Sequence, residues 1–124
     1  MKFYYNGQLM RTSKTHNYAY ACVTIGKDGK YRCCGCSATY AGAEKVKTDA
    51  IRIFESSIDS HHRILKAYEE GRNWYNSRKY GRVTFDPTQR HWQKDFIESC
   101  LIEDEAKLKE VNTNWQIVEL TAQA

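Results

Sequence analysis

A chain of 124 residues, 41% hydrophobic and 27% charged, has the size and composition of a single globular domain over residues 1–124. Those values exclude a disordered tail and a fibrous repeat. The net charge of +4 is segregated: residues 1–32 and 72–94 each carry +5, residues 33–71 carry −1, and residues 95–124 carry −5. Such blocks suit an anionic ligand, an acidic partner or charge pairing between subunits, beside the ordinary reading of a solvated surface. The longest near-apolar run, Tyr18 to Ile25, falls far short of the roughly 20 residues of a membrane span. The opening Lys2-Phe3-Tyr4-Tyr5-Asn6-Gly7 lacks the apolar stretch of a signal peptide, so an intracellular protein without a membrane role is expected.

Two turn dipeptides organise the first third. Asn6-Gly7 lies between Phe3-Tyr4-Tyr5 and Leu9-Met10, and Asp28-Gly29 lies between Ala21–Ile25 and Tyr31-Arg32-Cys33. Both favour the positive-φ turns that close two-residue hairpins. They predict antiparallel strands near 2–5, 8–12, 18–26 and 30–36. In the third, Ala19, Ala21, Val23 and Ile25 share a face that is assigned to the core, opposite Tyr18, Tyr20, Cys22 and Thr24.

A long amphipathic helix follows. Ser37 or Thr39 can cap it and Gly71 can end it. At 100° per residue, Ala43, Val46, Ala50, Ile51, Ile53, Phe54, Ile58, His61, Ile64, Leu65 and Tyr68 fall in one sector, with Lys47 the main intruder. His61 sits within that apolar face, as a ligand or pH switch, or as a satisfied core or interface residue. His62 lies at its edge, in solvent.

Asp86, Pro87 and Gln89 read as N-cap, N1 and N3 of a second helix that runs to about Val111. Phe96, Ile97, Cys100, Leu101, Leu108 and Val111 share a broad face, while Trp92, Ile102 and Ala106 lie outside it. Apolar side chains on two faces imply two packing partners, one of them a second subunit, so at least a dimer is expected. Asn112–Asn114 breaks the helix, and residues 115–120 alternate like a last strand. The fold class is α+β: N-terminal antiparallel hairpins and a C-terminal strand forming one sheet, with two long helices packed on it.

The richest chemistry lies in residues 72–86, read as a loop between the helices. It holds four aromatic and four basic side chains, including Arg72, Trp74, Tyr80 and Arg82. Rings offer stacking faces to a base, and cations or a helix N-terminus offer sites for phosphate. Arg90, His91 and Lys94 would lie in the first turns of the following helix. The structural alternative is a loop whose rings fold back onto the core. A second candidate is the turn Arg11-Thr12-Ser13-Lys14-Thr15-His16, where Arg11 and Lys14 could hold phosphate or simply flank a turn.

Five cysteines, an odd count, do not read as a secreted disulfide framework. Cys33-Cys34-Gly35-Cys36 lacks the second, separated pair of a zinc module, so free thiols and no metal are expected. On a regular strand Cys34 and Cys36 would share a face opposed by Cys33. No P-loop, dinucleotide fingerprint, HExxH or nucleophile motif is present, so nothing in the sequence argues for an enzyme or a cofactor.

The tract from Lys2 to Tyr18, KFYYNGQLMRTSKTHNY, and the ending Trp115-Gln116-Ile117-Val118-Glu119-Leu120 resemble the first family of Thoeris anti-defence proteins, the phage signal sponges. The layout of hairpins, long helix, polar aromatic segment, second helix and last strand is similar too. The resemblance is most specific over the first twenty residues and the last ten. It implies a non-enzymatic homo-oligomer in the cytoplasm of an infected bacterium. Such a protein binds cyclic ADP-ribose isomers of the glycocyclic type, and in some members cyclic oligonucleotides, at sites between protomers. By the same resemblance Phe85, Asp86 and Arg90 would be ligand contacts. The cysteine cluster has no counterpart in it. Chemically, Phe85 or Trp74 could stack adenine, Arg72, Arg82 and Arg90 could bind phosphates, and Asp86 or Asn76 could accept from ribose. Phe85→Ala and Arg90→Ala are then expected to weaken binding without moving the melting temperature. The rival classes are a phage inhibitor of a host protein or nucleic acid, of the anti-CRISPR kind, and a small nucleotide-processing enzyme.

Overall fold

Strands form where the turn dipeptides place them. In the computed structural model, which describes residues 1–124, they are β1 (Lys2–Tyr5), β2 (Gln8–Thr12), β3 (Tyr20–Ile25) and β4 (Tyr31–Ser37). Asn6 and Gly7 both adopt positive φ, +50° and +78°, as the first turn requires. Then come α1 (Tyr40–Glu69), β5 (Trp74–Ser77), β6 (Gly81–Thr84), a 3-10 turn over Arg90–Trp92, α2 (Lys94–Asn114), β7 (Gln116–Glu119) and β8 (Thr121–Gln123). The architecture is α+β. The chain divides into two compact units, residues 1–51 with 110–124, and residues 52–109.

In the first unit the single expected sheet is two three-stranded sheets, ordered β2-β1-β8 and β4-β3-β7. The C-terminal segment makes the difference, because it changes partner at Leu120. Before it, β7 pairs with β3; after it, β8 pairs with β1. The Leu120 N–H donates to the Ala19 carbonyl at that step. Burial of β3 also departs from strict alternation. Ala21, Cys22 and Val23 are fully buried in succession, so both faces of the strand are covered, whereas Ile25, assigned to the core, is 50% exposed at its end. A strand buried on both faces reads as a continuous apolar run, which is what Ala21-Cys22-Val23 is. At Gly35 of β4 a Cβ would meet Val46 Cγ2 of α1 at 2.8 Å, so glycine permits this close approach.

The pairing of β3 with β4 contains a bulge. Cys22 opposes Gly35 and Val23 opposes Cys33, leaving Cys34 as the extra residue. The expected grouping of Cys34 with Cys36 is thereby overturned. Cys33 Sγ and Cys36 Sγ lie 3.3 Å apart, because the bulge shifts the phase of the strand by one residue.

Helix α1 has the ends that the sequence marks. Thr39 Oγ1 accepts the Gly42 N–H at 3.0 Å, and the Gly71 and Arg72 N–H groups bond back to the carbonyls of Tyr68 and Ala67 with Gly71 at φ +70°. Ile53 departs from the apolar sector's expected burial, at 64% exposed.

The start of α2 is corrected. Asp86 Oδ1 accepts from the Thr88 N–H and hydroxyl, and the Asp86 carbonyl from the Gln89 N–H, so Asp86 organises a local turn. The 3-10 turn intervenes, and the helix begins at Lys94, eight residues after Asp86. It also continues through Asn114, past the expected end at Val111. The asparagines tolerate the last turn, and Val111, 2% exposed, anchors it. In the second unit Ile64, Ala67, Tyr75, Phe85 and Ile97 form the core, with Leu65, Tyr68, Val83 and Trp92 against it.

Candidate functional site

Residues 72–86 are a hairpin, not an irregular loop. Its register pairs Trp74 with Thr84, Tyr75 with Val83, Asn76 with Arg82 and Ser77 with Gly81. Period-two alternation then sorts the segment. Tyr75 and Val83 face inward, and Trp74, Asn76, Arg82 and Thr84 share the other face. Gly81, at φ +70°, ends the turn, and Ser77 Oγ accepts the Tyr80 N–H.

The outward face carries a stack of cations and a ring. Arg82 Cζ lies 3.8 Å from the centroid of the Trp74 ring, as expected for diagonal neighbours on one face. Arg72 Cζ lies 4.5 Å from the same centroid. Arg72 is held in place: its Nη1 donates to the Trp74 carbonyl at 2.7 Å, and its Nε and Nη2 donate to Glu70 Oε2. Arg82 is exposed. At the turn Tyr80 is 75% exposed, with Lys79 Nζ 5.3 Å from its ring centroid. Arg78 reaches Asp59 Oδ2 at 3.2 Å, beside the Arg63–Asp59 pair, and these two arginines, chiefly Arg63, hold the Asp59 carboxyl below its ordinary range.

Three expected contacts are placed differently. Phe85 is 3% exposed and belongs to the core, stacked on Trp92 at 5.5 Å and packed on Tyr68 at 5.3 Å, so its faces are already taken. The structural alternative for the segment's rings therefore holds for Phe85. Arg90 precedes α2 instead of lying in its first turns. Its Nη1 is bound by both Asp95 carboxylate oxygens, at 2.8 and 2.9 Å, and by Gln93 Oε1. Asp95 sits in the first turn of α2, so a side-chain carboxylate already answers the helix N-terminus. The Asp86 carboxyl is held below its ordinary range by its hydrogen bonds from Thr88.

Arg72, Trp74 and Arg82 are thus brought together, while Phe85, Asp86 and Arg90 are each engaged by near neighbours in sequence or by the core. In the first unit Arg11 lies over the Tyr18 ring at 5.5 Å, and Lys14 is exposed in the turn after β2. Ser13 Oγ accepts the Thr15 and His16 N–H groups, which makes this segment a hydroxyl-capped turn. His61 Nδ1 is 3.1 Å from Asp104 Oδ2, out of line for a hydrogen bond, and Asp104 Oδ2 also accepts from Ser57. His61 is thus a mostly buried partner of the other helix, and His62 is exposed, as read.

Asn76 and Thr84 complete the outward face, and Thr84 is a site residue that a loop over 72–86 does not single out. The signal was present: Tyr75, Val83 and Phe85 alternate with polar residues around Gly81, a hairpin pattern without an Asn-Gly turn. No helix is long and apolar enough to cross a membrane. No family model, curated protein or solved structure matches the chain.

Proposed function

We propose that this protein is a phage anti-defence sponge that binds a cyclic ADP-ribose-type signalling molecule without degrading it. It would act in the cytoplasm of the infected host and keep a defence effector switched off. The observation that carries the reading is the Arg72–Trp74–Arg82 stack, in which Arg82 is exposed and Arg72 and Trp74 are half-buried, with Arg78, Lys79 and Tyr80 at the adjacent turn. A cyclic dinucleotide-like ligand of this kind has a base and two phosphates in a small compass. Indole and guanidinium planes stack bases, and guanidinium forks bind phosphate. Asn76, on the same face by register, supplies an amide for ribose hydroxyls. The resemblance of the N- and C-terminal tracts to the sponge family points to the same ligand class.

Incubation with labelled cyclic ADP-ribose, gel filtration and heat denaturation tests this. The expected result is co-elution with the protein and release of the intact nucleotide. Release of products would make the protein an enzyme, and no co-elution would favour an inhibitor of a host protein or nucleic acid.

A homo-oligomer is part of the proposal. Ile53 of α1 and Ile102 of α2 are 64% and 68% exposed, and neither residues 44–63 of α1 nor residues 98–110 of α2 include a buried side chain despite Ile51, Phe54, Ile58, Leu101 and Leu108. Helical apolar surface of that extent is a natural subunit contact. Light scattering at micromolar concentration is expected to give at least twice the monomer mass; the monomer mass alone would refute this part.

A further inference from the structure

The bulge in β4 creates a thiol pair that plays no part in the surface described above. On a regular strand residues three apart point to opposite faces. Cys34 has no partner across the ladder, so Cys36 returns to the face of Cys33. The two sulfurs are 3.3 Å apart, about 1.3 Å more than a disulfide bond, and both side chains are only half-buried. The Arg11 guanidinium lies near enough for its charge to act on both.

The remaining strand cysteines are a separate pair. Cys22 is fully buried, and the Cys34 thiol interacts with it. That interaction, with burial, holds the Cys34 thiol far above its ordinary range. Neither sulfur of this pair combines access with a reactive state.

We propose that Cys33 and Cys36 form a redox-active dithiol, closed to an intrachain disulfide by exchange with a low-molecular-weight disulfide. Burial, then the hydrogen bond to Cys33, pushes the Cys36 thiol up to about 12, so Cys36 keeps its proton while Cys33 attacks. Cys33 loses its proton to solvent, and its thiolate displaces one half of the small disulfide. A mixed disulfide forms and one small thiolate leaves. That thiolate takes the Cys36 proton; the Cys36 sulfur then attacks Cys33 and releases the second half, which is protonated from solvent. Two protein thiols are oxidised and one small disulfide is reduced to two thiols, a transfer of two electrons.

Full-length protein treated with excess glutathione disulfide, then denatured and alkylated, tests the proposal by mass spectrometry. Of the five cysteines, the parent is expected to lose two alkylatable thiols, mapped to Cys33 and Cys36. Cys36→Ser should stop at one glutathione adduct on Cys33, and Cys33→Ser should lose no thiol. Retention of all five in the parent would overturn the proposal. So would a bridge to Cys22, Cys34 or Cys100, or one joining two chains. Mapping of the parent decides the matter even where a serine variant fails to fold.

Discussion

Phe85→Ala is expected to destabilise the protein by about 3–5 kcal/mol, the usual cost of emptying a buried phenylalanine site. The ring is 3% exposed and lies among Tyr68, Tyr75 and Trp92, with Ile64, Ala67 and Ile97 completing the cluster. Those neighbours belong to two helices, a strand and the 3-10 turn before α2, so they cannot close on the space without backbone movement. A lowering of the melting temperature by roughly ten degrees or more follows for a chain of this size. Thermal unfolding followed by circular dichroism checks it. A melting temperature unchanged within two or so degrees would return Phe85 to the list of ligand contacts, because only a ring that packs against little can be lost so cheaply. The outcome expected from the sequence, weakened binding at unchanged stability, is therefore reassigned from Phe85 to the outward face of its hairpin.

The parts of the fold governed by local chemistry were legible in the sequence. Asn6 and Gly7 both take the positive φ expected of their turn, whereas in the second turn Gly29 does and Asp28 does not, and the four strands still lie within about two residues of expectation. Thr39 and Gly71 bound a helix whose caps need only neighbouring atoms. The features that depart from expectation depend on non-local pairing. The Cys34 bulge exists because β4 must match β3, and a one-residue slip reverses every face beyond it. The division into two sheets depends on where β7 and β8 find partners far back in the chain. Asp86-Pro87 has the composition of a helix start, but the same carboxylate serves an Asx turn equally well, and Thr88 supplied the competing hydrogen bonds. The candidate site moves with the helix start: the composition places Arg90 in the first turns of the helix, whereas it lies four residues before Lys94 and pairs with Asp95. The basic and aromatic content of residues 72–86 was legible. Which rings face out required the register of the hairpin.

Arg82→Ala is expected to weaken nucleotide binding about tenfold to hundredfold, the affinity equivalent of losing one charge-assisted contact of roughly 1.5–3 kcal/mol. Stability should change little, because Arg82 is exposed and its ring contact with Trp74 is a surface cation–π pair. Arg72 is a less clean probe. Its Nη1 holds the Trp74 carbonyl, so its removal disturbs the strand as well as the charge. Arg82→Lys separates charge from shape: an ammonium keeps the coulombic attraction to phosphate but loses the planar fork, so an intermediate loss is expected. Raising the salt concentration should weaken parent binding and narrow the gap between parent and Arg82→Ala, since an exposed cation is screened. Isothermal titration with cyclic ADP-ribose measures all of these. Arg90→Ala gives the opposing test, because a phosphate at Arg90 must compete with both oxygens of the Asp95 carboxylate. If Arg90→Ala costs more affinity than Arg82→Ala, the ligand sits at the start of α2, as the family resemblance implies. If Arg82→Ala binds as tightly as the parent, the outward face of the hairpin is not the site.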